Sequence, residues 1–185
     1  MKVNLMKWVL GCCALVISAS ASAEGLVGQT VYTQANIWFE KPTKIPSTNY
    51  HVGGMLTAGT KVTVDEVSED EVSFTDAGGT KYRINVVIKH NNVPGPQLAE
   101  RLFAAQDPMA EGGKFSKFSK EEQEQIRSGS IAKGMSKDAV LMAYGYPPTI
   151  RTPSTNDANW TYWKNRWVTR IVRFDDSGKV AEIQG

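Results

Sequence analysis

Few side chains in this sequence are of a kind that moves protons, attacks carbon or holds a metal. His51 and His90 are the two histidines. Neither has a second histidine one helical turn away, a His-Glu-x-x-His pattern around it, or a carboxylate at ligand spacing, so zinc hydrolysis has no carrier. The acidic pairs Glu69-Asp70, Glu121-Glu122 and Asp175-Asp176 fall at expected turns and helix caps, where carboxylates serve structure. There is no Gly-x-Ser-x-Gly elbow and no phosphate-binding glycine loop. Both cysteines, Cys12 and Cys13, fall in an N-terminal leader, so thiol catalysis and thiolate metal sites have no residue beyond it. The expectation is a non-enzyme with no catalytic residue, no metal and no cofactor.

What the sequence does carry is recognition chemistry, aromatic and cationic. Trp163, Trp167, Arg166 and Arg170 cluster near the C-terminus, with Lys164 beside them. Tryptophan and arginine dominate interface energies, which makes these four the candidate partner-binding residues. Trp167 is expected as the cross-strand neighbour of Trp163, and Arg166 and Arg170 on one strand face. In the N-terminal half, Tyr32, Trp38, Tyr50 and Tyr82 are the aromatics available to stack on a sugar or peptide, an alternative ligand-binding set.

The elements that must position these residues begin after an export signal. Lys2 and Lys7 precede or adjoin the apolar run Trp8 to Ile17, and Ala21-Ser22-Ala23 supplies small residues at −3 and −1 of a cleavage site. The reading is a signal peptide over 1–23, cleaved after Ala23, and a product in the periplasm or on the periplasmic face of the outer membrane. Val9-Leu10-Gly11-Cys12 offers a competing lipidation site at Cys12, but Lys7 leaves too short an apolar run before it. Lys2 and Lys7 are two of the 21 basic residues, so the chain from Glu24 balances 19 acidic residues with 19 basic ones. A neutral chain gives no electrostatic reason to expect nucleic acid as a partner.

Residues 24–90 read as all-β. Val31, Thr33, Ala35, Ile37 and Phe39 alternate with Tyr32, Gln34, Asn36 and Trp38, a single strand by period. Further short strands are expected around Met55-Leu56, Val62 and Val64, Val72-Ser-Phe74, and Tyr82 to Val86, with turns at Ala58-Gly59-Thr60 and Asp76-Ala-Gly-Gly79. Residues 91–118 read as a linker with a short helix over Gln97–Gln106, followed by an exposed Lys114-Phe-Ser-Lys-Phe-Ser119 repeat. From Ser119, a Ser-Lys-Glu-Glu122 capping box starts one helix, and Ser136 caps a second over Lys137–Tyr144, ended by Gly145 and Pro147-Pro148. Trp160–Trp163, Arg166–Phe174 and Lys179–Ile183 then read as an antiparallel meander with turns at Lys164-Asn165 and Asp175–Gly178. Trp160 and Tyr162 share the face expected to fill the core.

Two resemblances follow from these residues. Gly53–Ile84, through Leu56-Thr-Ala-Gly-Thr-Lys-Val-Thr-Val64, Val72-Ser-Phe74 and Gly79-Thr-Lys-Tyr-Arg-Ile84, resembles a bacterial Src-homology-3-like barrel. Residues 119–185, through Gly134-Met135-Ser136, Gly145-Tyr-Pro-Pro148 and Trp160-x-Tyr162 in order, resemble the outer-membrane assembly factor BamE, or SmpA/OmlA, family. The implied fold is α+β: a small all-β Src-homology-3-like barrel over 24–90, then two helices on a three-stranded antiparallel sheet over 119–185. The implied function is non-catalytic interaction in the cell envelope. The expected partner is an envelope protein or the outer-membrane assembly machinery, with phospholipid head groups as a further candidate. Peptidoglycan binding through the barrel is the alternative. Inhibition of a secreted enzyme is a third reading, because β-lactamase-inhibitor proteins share the helix-and-sheet architecture and architecture alone does not specify function.

Overall fold

Period-two alternation builds the first sheet. The computed structural model describes residues 23–185, so the proposed leader's Lys2, Lys7, Cys12 and Cys13 lie outside the described residues. The N-terminal half supplies strands β1 (Thr30–Thr33), β2 (Ile37–Phe39), β3 (Ile45–Pro46), β4 (Gly54–Leu56), β5 (Lys61–Val67), β6 (Glu71–Asp76) and β7 (Lys81–Asn85). In β5, Val62 and Val64 are buried between exposed Lys61, Thr63 and Asp65; in β6, Val72 and Phe74 are buried; in β7, Tyr82 and Ile84 are buried. Each buries one face and wets the other, as an antiparallel sheet with one solvated side requires. Val64 lies opposite Phe74 and Phe74 opposite Tyr82, so the buried residues stack in a row across the ladder.

With β8 (Phe103–Ala104), these strands form a curled six-stranded sheet in the order β3-β7-β6-β5-β1-β8. All its pairings are antiparallel except that of β3 with β7, where Ile45 faces Ile84. The expected single strand over residues 31–39 is two strands. β1 ends at Thr33, and β2 pairs with β4 in a separate two-stranded sheet. At the break, side chains bond to backbone groups of distant segments. The Gln34 amide donates to the Glu100 and Phe103 carbonyls. Asn36 is 1 % exposed and its amide bonds to three backbone groups elsewhere in the fold.

Helix α1 (Gly95–Leu102) carries Pro96 in its first turn, where a missing N–H costs nothing, and packs Leu98 and Ala99 into the first core. It stops at Leu102, short of the expected end at Gln106. Phe103 turns extended into β8, pairs with Thr33 of β1 and sets its ring edge-on to Phe74 at 5.2 Å. The Phe103 ring is buried in the first core.

The second half follows the capping signals. α2 (Lys120–Ser128) opens on the Ser119–Glu122 capping box and closes on Gly129 at φ 63°. α3 (Lys137–Tyr144) is capped by the Ser136 side chain and ends at Gly145, φ 76°. Glu122 does more than cap: its Oε1 accepts from both the backbone N–H and the hydroxyl of Ser136 at 2.7 Å, joining the starts of the two helices. Both pack on an antiparallel sheet of β9 (Asn159–Trp163), β10 (Thr169–Phe174) and β11 (Val180–Gln184). Trp160 and Tyr162 are 0 % and 1 % exposed and fill this second core, as their shared face requires. Gly134 N–H donates to the Val180 carbonyl and Val180 N–H to the Met135 carbonyl, so the segment before α3 borders β11.

Two segments depart from the sequence expectation here. Phe115 in the 114–119 repeat is buried in the second core, with the Arg127 guanidinium over its ring at 4.7 Å. Strand β10 begins at Thr169 and not at Arg166. Asn165 Oδ1 accepts the N–H groups of Trp167 and Val168, and Lys164 N–H donates to the Val168 carbonyl, closing a loop over 164–168. The segment 91–118 contributes Val93, Leu98, Ala99 and Phe103 to the first core and Phe115 to the second.

Asparagine stitches the two cores together. Asn36 Nδ2 donates to the carbonyls of Ile126 (2.8 Å) and Ala143 (3.0 Å), and its Oδ1 accepts from Ala58 N–H (2.9 Å). Asn49, at φ 48°, accepts from Trp38 N–H and donates to the Tyr144 carbonyl. Asn36→Ala removes three buried bonds and orphans the Ala143 carbonyl and the Ala58 N–H, so we expect a loss of about 2–4 kcal/mol. Urea denaturation followed by tryptophan fluorescence measures it; a loss below about 1 kcal/mol would show that this amide does not hold the cores together.

Candidate functional site

Four segments meet at one concave surface. The residues after β2 bring Glu40 and Lys44; the β3 region brings Pro46, Tyr50 and Val52; the end of β7 brings Asn85 and Val87; the β9–β10 loop brings Asn165, Arg166 and Trp167. They line an open cleft of about 640 Å³, within the size range of ligand and peptide sites. A second space, lined by Asn36, Ile45, Leu98 and Tyr146 among others, is about 40 Å³, room for water only. A third, of about 190 Å³ beside Arg101, Tyr146 and Thr155, carries little apolar surface.

The 164–168 loop carries the most exposed large hydrophobic side chain among the described residues. Trp167 is 82 % exposed, the largest exposure among the big hydrophobic side chains described. Because Asn165 holds the loop N–H groups internally, Trp167 stands out by construction of the turn. Val168 follows it, also exposed.

The four candidate partner-binding residues do not form one patch. Arg166 and Trp167 line the cleft. Trp163 lies opposite Thr169 across the ladder, not opposite Trp167, and its ring is edge-on to His90 at 6.0 Å. Arg166 sits in the loop before β10, so it shares no strand face with Arg170. Arg170 lies opposite Tyr162, on the side of the sheet that faces the helices, where its guanidinium donates to the Tyr144 hydroxyl and lies over that ring. Of the alternative set, Tyr50 lines the cleft. Tyr82 is 6 % exposed, stacked on Phe74 at 5.2 Å, and donates to Asp76 Oδ2. Trp38 is half-buried beside His51, and Tyr32 lies opposite Ala104 and Lys61 in the sheet. The cleft therefore joins members of both sets and adds Glu40, Lys44, Asn85 and Asn165, which sequence spacing did not bring together. The signal available for them was only that each falls in a loop or at a strand end.

His51 occupies the seam between the cores. Its ring lies 3.9 Å from that of Tyr144, 5.6 Å from Tyr162 and 5.7 Å from Trp38. Nε2 sits 3.1 Å from the Tyr144 carbonyl, so it carries the proton of the neutral ring. Nδ1 is sealed from solvent without a partner. Burial pushes the imidazole pKa down to about 4; the bond to the Tyr144 carbonyl opposes this and the Arg170 charge adds to it. Among the described residues no three His, Cys, Asp or Glu side chains stand close enough to hold a metal ion. No described helix is long and apolar enough to cross a membrane.

The sign of the His51 effect is fixed by that lowered value. The unfolded chain takes up the proton near pH 6.5, the folded one only near pH 4, so stability is full above 6.5 and falls as pH drops between the two. The difference reaches roughly 3 kcal/mol by pH 4. His51→Gln keeps a donor for the Tyr144 carbonyl and removes the titration. We expect the wild-type protein to lose stability between pH 7 and 4 more steeply than the variant in urea melts; parallel slopes would place the ring in solvent.

No protein-family model matches this chain, no curated protein matches it, and no solved structure matches it.

Proposed function

We propose that this protein is a non-catalytic binding protein of the bacterial cell envelope, docking a partner protein at the cleft rimmed by Trp167. The observation that carries this reading is the exposure of Trp167 beside Arg166 and Tyr50 on a concave surface. An exposed tryptophan gains most when a partner removes it from water, and an arginine beside it supplies orientation. The export signal in the sequence supports the compartment.

The C-terminal resemblance supports the same reading. Helices α2 and α3 on the β9–β11 sheet have the architecture the BamE-like resemblance implies, with Gly134-Met135-Ser136 leading into α3 and Gly145 ending it. The curled six-stranded sheet spans the region that resembles a Src-homology-3-like barrel, and a link to outer-membrane protein assembly is the role the BamE-like likeness favours. Two members of the acidic pairs serve structure: Glu122 accepts from Ser119 and Ser136, and Asp175 from the Ser177 and Lys179 N–H groups.

A photo-crosslinking amino acid at position 167, compared with one at exposed Ile150, tests the proposal in intact cells. We expect one dominant envelope-protein adduct from position 167, absent from position 150, and reduced several-fold by Arg166→Glu. Equal labelling from both positions would remove the site from consideration.

A further inference from the structure

We infer that the partner element seated in this cleft is an acidic peptide segment carrying apolar side chains. The inference rests on the docking reading above and names the chemistry of what docks.

Charge is the first ground. The chain from Glu24 is neutral, yet the three segments 40–44, 87–90 and 164–168 carry Lys41, Lys44, Lys89, Lys164 and Arg166 against a single carboxylate, Glu40. Each of these segments contributes lining to the cleft, through Lys44, Val87, and Asn165, Arg166 and Trp167. None of the five cations forms an ion pair among the described residues. Glu40 is the one carboxylate in the lining. A local excess of unpaired positive charge on a neutral protein attracts a negatively charged partner and repels a basic one.

Apolar surface is the second ground. Six large hydrophobic side chains are exposed among the described residues, and three of them, Ile88, Trp167 and Val168, belong to two of these cationic loops. Tyr50, Val52 and Val87 continue that surface into the concavity. Cations alone would suit any polyanion; cations interleaved with apolar contacts suit a chain that alternates carboxylates and hydrophobic side chains.

Shape is the third. Arg166 and Trp167 face a concave space of about 640 Å³, which a flat bilayer surface does not fill and an extended peptide does. Asn165 uses only its Oδ1 within the loop, which leaves its amide N–H groups for a peptide carbonyl, and Glu40 provides an acceptor for a peptide N–H.

The test uses the mature chain and three probes: a labelled peptide alternating glutamate and leucine, its lysine–leucine counterpart, and phosphatidylglycerol vesicles. Fluorescence anisotropy and vesicle sedimentation read the binding. We expect the acidic peptide to bind, the basic peptide not to, and added salt to weaken the complex. Lys44→Glu combined with Arg166→Glu should weaken acidic-peptide binding roughly tenfold and admit the basic peptide. Both side chains are exposed, and circular dichroism confirms that the variant is folded. Equal binding of the two peptides, binding of vesicles alone, or no binding of the acidic peptide overturns the inference. If position 167 still crosslinks one envelope protein while the acidic peptide fails, the docking site stands and the acidic segment is wrong.

Discussion

The buried carboxamide of Asn36 holds the two halves of this protein in register. It sits where the first sheet, the β2–β4 pair and the helical half converge, and it reaches the last turn of α2, the last turn of α3 and the β4–β5 connection at once. A polar side chain at 1 % exposure is tolerable only when its bonds are made, and here it pairs the Ala143 carbonyl and the Ala58 N–H and adds a second donor to the Ile126 carbonyl, which also accepts from Gly129 N–H. Asn49 repeats the device a short distance away, and its left-handed backbone, which asparagine accepts more readily than most residues, is what aims its amide at Tyr144. Backbone bonds from Asn36 to Met142 and from His51 to Trp163 complete the seam.

The cleft follows from this seam. Its walls come from elements that belong to different sheets: Lys44 and Pro46 lie at the edge of the six-stranded sheet, and Arg166 and Trp167 lie in the loop of the three-stranded one. Were the halves free to move, Trp167 would be a lone exposed residue on a hairpin tip. Fixed in place, it shares with Tyr50 a concavity of defined size. Pre-organisation of this kind lowers the ordering cost of docking, because fewer loops must be immobilised when the partner arrives.

The seam is also where acid is expected to act on the protein. His51 is packed among Trp38, Tyr144 and Tyr162, with the Arg170 charge close by, and three polar atoms there, His51 Nδ1, Trp38 Nε1 and Arg170 Nε, are buried without partners. A charge added to that ring would have to be desolvated beside an existing guanidinium. His51, which bonds to the Tyr144 carbonyl across the seam, is therefore the residue whose protonation would loosen it.

Much of the architecture was legible in local pattern. The alternation of Val62 and Val64, of Val72 and Phe74 and of Tyr82 and Ile84 marks the strands of the first sheet, and Ser119, Glu122, Ser136 and Gly145 mark the helix ends, because period and capping are short-range properties. The shared face of Trp160 and Tyr162 assigned them to the core for the same reason. Tertiary structure decided what long-range bonds control. It broke the strand at Asn36, whose partners lie 90 and 107 residues further on. It buried Phe115, ended α1 early to seat Phe103, sent Arg170 inward to Tyr144 and turned Trp167 outward. A side chain's preference is written in its neighbours, but its partner across the fold is set only when the whole chain has closed around it.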